Sequence, residues 1–461
     1  MMLLAQFEII TTILSKYTES MGFGQLSALF GVLVLTGYIV ATQNTRLALL
    51  VLLTLSLFTT ADNSAIASAA SLGRWFFLGL AALTALMRPA PVDGGTLGLL
   101  GAYAIINLVG MLYSESLENG LVRAIFYILA IPAFLMCFGR ARNGPDDLLK
   151  FLRTISVVGV ILAVVHVFFI AGGGGSGISR FKSFFTSPQT MSMATTTVTI
   201  PMIWLLLSKQ AAGWFWPVAG AVLVNLLCMI ASTQRTGLFS LGGAVVVMLF
   251  FFRARGALIA LLVGGGFFVV ALPLLGKLVD ADFLADRLGS LDSTGRSEIW
   301  AAAFERAMES PVLGWGSGSA SAWSERNFAK KFHQAYLQAF FDGGLVGISV
   351  FMALVIRGIW LSYRVTKAKD EKIRVIGIYT LAATLAVAAQ GIVETSLADT
   401  TNETATLFYL SLGISAAALQ MSRYANTSPT STPAGRAPAV ALPQPRRLPP
   451  NHYANPGGIA N

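Results

Sequence analysis

Apolar runs of roughly 20 residues recur along most of the chain, each closed by a short polar break. About 20 helical residues cross the roughly 30 Å hydrocarbon core of a bilayer. No water reaches that core to satisfy backbone groups, so helices are the economical solution. The runs are too long and continuous for the alternation of a membrane β-barrel. The pattern predicts spans over 24–42, 46–60, 73–88, 96–113, 121–138, 152–170, 191–208, 213–231, 237–252, 257–275, 338–361, 375–391 and 404–420. The second is short, which gives about 12 or 13 spans and an all-α polytopic integral membrane protein.

Composition agrees: 55% of residues are hydrophobic and 12% charged, against about 25% charged in soluble domains. Arg140, Arg142 and Lys150, then Lys209, then Arg253 and Arg255, then Arg364, Lys367, Lys369, Lys372 and Arg374 fall on alternate sides of successive spans. The positive-inside rule puts 139–151, 209–212, 253–256, 362–374 and the tail inside. Segments 171–190, 232–236, 276–337 and 392–403 then lie outside. The formal net charge of +10 follows largely from these anchors and the tail, so no nucleic-acid partner is expected.

The expected organisation is an interfacial segment over 1–23, a first membrane part over 24–275, an outer loop domain over 276–337, a second membrane part over 338–422 and a disordered inner tail over 423–461. Glu8, Lys16 and Glu19, with no small-residue cleavage site, argue against a cleavable signal peptide. The tail is rich in Pro, Ala, Ser and Asn and holds little that could build a core. Cys137 and Cys228 fall within spans as buried thiols, so neither a disulfide nor a metal framework is expected.

Two short outer segments carry cations against the topological bias. "GGGGSGISRFKSFFTSPQTMS" holds Arg180 and Lys182, and "IASTQRTGLFS" holds Arg235. Such arginines either snorkel to lipid phosphates or bind an anionic substrate group, because the guanidinium fork matches phosphate oxygens bidentately. In the long outer segment, "LDSTGRSEIWAAAFERAMESPVLGWGSGSASAW" reads as an amphipathic helix followed by a flexible loop. Asp292, Ser293 or Thr294 is a candidate cap, and Pro311 marks the end. Ile299, Trp300, Ala303, Phe304, Ala307 and Met308 share a face that lies against the membrane domain or the interface. Arg296, at the helix start, either pairs locally with Asp292 or Glu298 or contacts a ligand. The Gly-Trp-Gly-Ser-Gly-Ser run is either a lid or a linker.

The chain has 3 histidines. His166 falls within a span as a structural residue, and His452 lies in the tail. His333 alone is outside and immediately before a span, in "KFHQAYLQAFFDGGLVG". With an unperturbed pKa of about 6.5, it can take a proton from a sugar hydroxyl; stacking or helix capping is the alternative role. Asp342 either orients that imidazole or, with Gly343 and Gly344, breaks the helix.

The order Arg180 with Ser187-Pro188, then "STQRTG", "TGRSEIW", "LGWGSG" and "FHQAYLQAFFDGGLVG" resembles the O-antigen ligase and O-antigen polymerase superfamily of bacterial membrane glycosyltransferases, which includes exopolysaccharide polymerases. The likeness runs from the fourth span to the last. Gln334 stands where an Asn commonly follows the family histidine, and "SPQ" replaces a more typical Pro-Asn. The resemblance implies a large periplasmic helical loop and a periplasmic site in the inner membrane. It implies a metal-independent transferase without cofactor, a glycan donor on undecaprenyl diphosphate, and an acceptor hydroxyl on lipid A-core or on another lipid-linked unit. Arg180 and Arg235 would hold the diphosphate, His333 would activate the acceptor, and Arg296 is a further donor contact. Lys182 and Asp342 are candidate supporting residues. Diphosphate leaves as a stable anion, so charge neutralisation replaces the acid and base carboxylates of a glycosidase. "GRSEIW", the Gly-Trp-Gly loop and the tail lean toward exopolysaccharide polymerases. A transporter or flippase for an anionic lipid-linked sugar is the alternative. It calls for inward-facing ionisable residues within several spans, yet the spans are poor in acidic residues and no internal repeat is evident.

Overall fold

The computed structural model describes residues 23–87, 90–138, 144–172, 181–257, 259, 296–328, 333–398 and 402–427. The predicted span 257–275, all but residues 257 and 259, lies outside them, as do Arg180, the first 22 residues and the tail beyond 427. The described residues form α1 (Phe23–Thr42), α2 (Thr45–Phe58), α3 (Ser64–Met87), α4 (Gly94–Met111), α5 (Leu117–Ala130), α6 (Pro145–Ala171), α7 (Pro188–Leu207), α8 (Phe215–Ala231), α9 (Arg235–Phe251), α10 (Arg296–Met308), α11 (Ser319–Phe328), α12 (Ala335–Val365), α13 (Glu371–Gln390) and α14 (Glu403–Thr427). Eight of the membrane-type helices are long and apolar enough to cross a bilayer, counting α5 with the π-helical turn Ile131–Met136 that extends it. Four more apolar helices are shorter. No strand occurs among the described residues, and the protein is an all-α polytopic membrane protein.

Polar side chains start several of these helices. Asn44, Asp93, Ser116 and Asp370 each accept a backbone N–H from the first turn of α2, α4, α5 and α13. Ser187 and Thr190 form a reciprocal capping box at the start of α7. Helices α7, α13 and α14 are the most enclosed, with 78%, 83% and 89% of their apolar windows buried. Helices α3, α4 and α6 turn one apolar side inward and leave Leu72, Leu108, Ile161 and Phe168 outward.

Loop contacts sort the helix ends into two sets. Lys372 reaches Asp146 at 2.7 Å, Arg46 reaches Asp147 at 3.3 Å, and Arg153 bonds Gln210. Each of these contacts involves a residue of a segment with the positive-inside signature, Lys372, Asp146, Asp147 or Gln210. At the opposite end, Asp62 N–H donates to Phe184 O at 2.7 Å, Thr186 N–H to Thr60 O at 2.9 Å and Ala335 N–H to Gly391 O at 2.9 Å. Burial works against ionisation of Asp93, but hydrogen bonds from Arg357, at 2.6 Å, and from Thr96 outweigh it and hold the carboxyl below its usual range.

Helix α12 has 31 residues, which at 1.5 Å per residue is about 46 Å and longer than one bilayer core. It is broken at Gly344, whose φ of 59° and ψ of −158° are non-helical and open essentially to glycine alone. The chain between α10 and α11 fills the break. Trp315 N–H donates to Phe341 O at 2.9 Å and Gly316 N–H to Asp342 O at 3.0 Å. Leu345 N–H donates to Pro311 O at 2.8 Å and Val346 N–H to Val312 O at 3.2 Å. The Gly-Trp-Gly-Ser-Gly-Ser run is therefore neither a free linker nor a loose lid, and the flexible loop expected after α10 is a docked turn followed by a second helix. Gly314, Gly316 and Gly318 all have positive φ, and a Cβ on any of them would lie 2.6 Å from Asp342, Gly110 or Asn119 respectively.

In Gly344→Ala the side chain would meet the Val312 carbonyl in addition to adopting a disfavoured backbone. A loss of at least about 1–3 kcal/mol is expected. It should appear as a lowered thermal midpoint in detergent, together with new protease cleavage between residues 311 and 328.

Candidate active site

At the end where 181–190, 296–328, 333–334 and 391–398 meet, four side chains from four segments converge. His333 has φ of 53°, uncommon for a residue with a side chain and a frequent mark of functional positions. This backbone turn lets Gln334 follow as the cap of α12, its side chain accepting Leu337 N–H. Capping thus falls to Gln334, and the His333 ring is directed elsewhere. Its Nδ1 lies 3.0 Å from Glu394 Oε2 and 3.3 Å from Gln189 Nε2. The Gln189 amide also donates to Glu394 Oε2. On the other side, Arg296 Nη1 lies 3.5 Å from Glu394 Oε1 and donates to Val393 O at 3.1 Å.

Glu394 is the hub, its side chain only 3% exposed, while His333 and Arg296 are 22% and 25% exposed. A carboxylate in its ionised form only accepts hydrogen bonds, so against such a partner the imidazole hydrogen would sit on Nδ1. In that tautomer Nε2 carries the lone pair. Arg296 neither uses Glu298 nor stands alone; its partner is a carboxylate 98 residues away. Asp292, the other local partner considered, lies outside the described residues.

Arg235 opens α9 and is half-buried. Two residues on, Gly237 seats against Ser192 and Thr196 of α7, which puts the start of α9 about one turn from Gln189. Lys182 forms an exposed ion pair with Asp62 at 3.0 Å, the two side chains 40% and 59% exposed; such pairs contribute little energy. It fastens the 181–186 segment, whose Ser183 Oγ also bonds buried His166 at 3.0 Å. His166 is completed by Thr195 at 3.2 Å and has the structural role expected of it.

Asp342 is engaged away from the imidazole. Its Oδ1 accepts Ala320 N–H at 2.7 Å, at the start of α11, and its Oδ2 pairs with Arg123 of α5. Arg123 continues to Ser321 Oγ at 3.3 Å, and Gln338 reaches the same hydroxyl at 3.4 Å. Of the two roles open to Asp342, the helix break is seen, two residues on at Gly344, and the carboxylate fastens α11 to α5 and α12 beside it. The predicted six-residue face of α10 is divided. Ile299, Ala303 and Ala307 are buried, whereas Phe304 and Met308 are 53% and 51% exposed.

Sequence reasoning passed over Gln189, Glu394 and Arg123. Gln189 sits inside the quoted "SPQ", and its position in the first turn of a capped helix is the signal that could have found it. Glu394 is one of two carboxylates, with Asp399, in the short "GIVETSLAD", a segment with too little length to advertise a site.

Geometry of this kind defines a membrane protein with an imidazole, carboxylate and guanidinium centre at one end of its helix bundle. Residues 220–352 match the family model for the O-antigen ligase. No curated protein matches the chain. Over those residues the chain is similar to the O-antigen ligase family. The matched stretch contains Arg235, Arg296, His333 and Asp342, while Gln189 and Glu394 lie beyond it.

Arg123 and Asp342 are 11% and 8% exposed, so removing one partner leaves the other charged in a nearly dry site, at about 3–5 kcal/mol. Arg123→Met should lower the thermal midpoint sharply, and Arg123→Met with Asp342→Leu should lower it less than the sum of the single changes. Additive losses would mean that the pair is not coupled.

Proposed function

We propose that the enzyme transfers a glycan from undecaprenyl diphosphate to an acceptor hydroxyl at the periplasmic face of the inner membrane, in the making of a surface polysaccharide. The observation that carries this reading is the His333–Glu394 pair. A buried carboxylate fixes the imidazole through Nδ1 and leaves Nε2 to take the proton of the attacking hydroxyl. The acceptor oxygen attacks the anomeric carbon as the bond to the diphosphate oxygen breaks, and undecaprenyl diphosphate leaves as the anion. Single displacement inverts the anomeric centre. No group has to protonate such a leaving group; cationic side chains suffice.

Arg235, with Arg180, is assigned to the diphosphate. Arg296 has a narrower role than a donor contact, because its Nη1 is committed to Glu394 and Val393 O; it holds the carboxylate from the side opposite His333. Gln189 holds the same carboxylate from α7. Lys182 and Asp342 support the site through the frame. The acceptor is either lipid A-core, for a ligase, or a second lipid-linked unit, for a polymerase. Reaction steps and residue roles are the same in both cases.

Reconstitution of the purified chain with a defined undecaprenyl-diphosphate oligosaccharide and each of the two acceptors, with and without a chelator, tests the proposal. Transfer to one acceptor with release of undecaprenyl diphosphate, unaffected by chelation, is expected; absence of transfer to both, or loss on chelation, contradicts it. His333→Ala should lower the rate by about 10²–10⁴-fold without loss of folded protein. Glu394→Gln should lower it less, and Arg235→Lys should weaken donor use because a point charge does not replace a planar fork. Normal turnover by His333→Ala removes the imidazole from the reaction.

A further inference from the structure

The outer turn between α10 and α11 has an unusual property for a connecting segment: each carbonyl from Pro311 to Ser317 accepts a hydrogen bond from protein. Pro311 O and Val312 O take the N–H groups of Leu345 and Val346. Leu313 O takes the Tyr113 hydroxyl at 3.0 Å, and Gly314 O takes Ser310 Oγ at 2.8 Å. Trp315 O takes Ser319 Oγ at 2.7 Å, Gly316 O takes Ser319 N–H at 3.2 Å, and Ser317 O takes Ser114 Oγ at 2.7 Å. A turn surrounded by water has no need of this. Irregular backbone at membrane depth does, because lipid offers no partner.

The depth of the turn follows from α4. That helix runs 18 residues from its Asp93 cap, about 27 Å, nearly the thickness of the hydrocarbon core. The turn contacts its final stretch: Ser317 Oγ donates to Asn107 at 2.8 Å, and a Cβ on Gly110 would lie 3.0 Å from Ser317 N. Outward from the same contacts, Val312 and Leu313 are 57% and 58% exposed, beside Leu345 of α12 at 55%. They continue the apolar surface of Leu108, Val109 and Leu112 on and just beyond α4.

Helix α10 extends that surface. At 100° per residue its sides are three: Ile299, Ala303 and Ala307 point inward, Trp300, Phe304 and Met308 form a second apolar row, and Glu298 and Glu305 form an acidic side, with Glu309 just past the helix end. Phe304 reaches the side of α12 through Phe340, ring centroids 6.1 Å apart.

We infer that the turn 311–317 and the Phe304–Met308 row of α10 are seated in the acyl chains of the leaflet at the His333 end, with the acidic side facing water. The occupant of this apolar surface is the bilayer itself. Helix α10 is thus an interfacial element, and Arg296 at its start is held at the membrane surface. A substrate carried on a lipid would meet it there without leaving the leaflet. The inference rests on membrane insertion and backbone geometry, and it stands whether or not the transfer chemistry proposed above is correct.

Spin labels at Met308→Cys, Leu313→Cys and Glu305→Cys, read one at a time in proteoliposomes of the full chain, test it. All three positions are exposed, so the variants should fold. Wild-type protein labelled in parallel sets the background from the buried Cys137 and Cys228. Labels at 308 and 313 should collide preferentially with dissolved oxygen, and the label at 305 with a water-soluble nickel chelate. Chelate access at 308 or 313 equal to that at 305 would overturn the inference.

Discussion

The structure depends on the broken backbone of α12. A helix interrupted inside a membrane protein exposes carbonyls below the break and N–H groups above it, each expensive to leave unmade. Here the chain from Pro311 to Gly316 supplies all four partners observed across Phe341, Asp342, Leu345 and Val346. Only glycine can occupy the turning point, and glycines on the incoming strand let the two backbones approach. An outer segment that would otherwise be a loop becomes part of the helical frame. Asp342 adds to the same joint, capping α11 with one oxygen and binding Arg123 with the other.

This joint lies within one helix of the polar centre. Helix α12 begins at Ala335, so the short stretch Ala335–Gly343 ties His333 to the break, and Ala335 N–H is itself held by Gly391 O. The carboxylate of Glu394 follows three residues after Gly391. Histidine and carboxylate are thus placed by the two ends of one backbone contact, and Gln189 closes the arrangement from a separately capped helix. A charged hub with little exposure is stable only when its partners are fixed in this way, which is why the site is built from helix ends.

Most of the fold was legible because hydrophobic run length is a direct consequence of bilayer thickness. Each predicted span within the described residues corresponds to a helix, although several begin earlier, such as α3 at Ser64 and α6 at Pro145. Apolar patterning marks where lipid begins; the helix starts are set locally, by the Asn63 cap of α3 and by Pro145 in the first turn of α6. His333 and Arg296 were visible as polar residues at unusual places, but their common partner was not, since Glu394 lies 61 residues from one and 98 from the other. The division of the α10 face was hidden for a related reason. An apolar face in sequence does not distinguish burial against protein from exposure to lipid, and Ala303 and Phe304 take different sides. The glycine run read equally well as lid or linker, because backbone pairing with a broken helix leaves no side-chain pattern.

Amide hydrogen exchange of the whole chain in lipid nanodiscs, followed by mass spectrometry over peptides covering 311–318 and 341–347, measures the joint directly. Donors bonded across the break should exchange as slowly as those inside α13, because opening them requires separation of α12 from the outer turn. Exchange of Trp315, Gly316, Leu345 and Val346 at the rate of an open loop would show that the break is not filled, and the placement of the outer helices and of the centre beside them would be wrong.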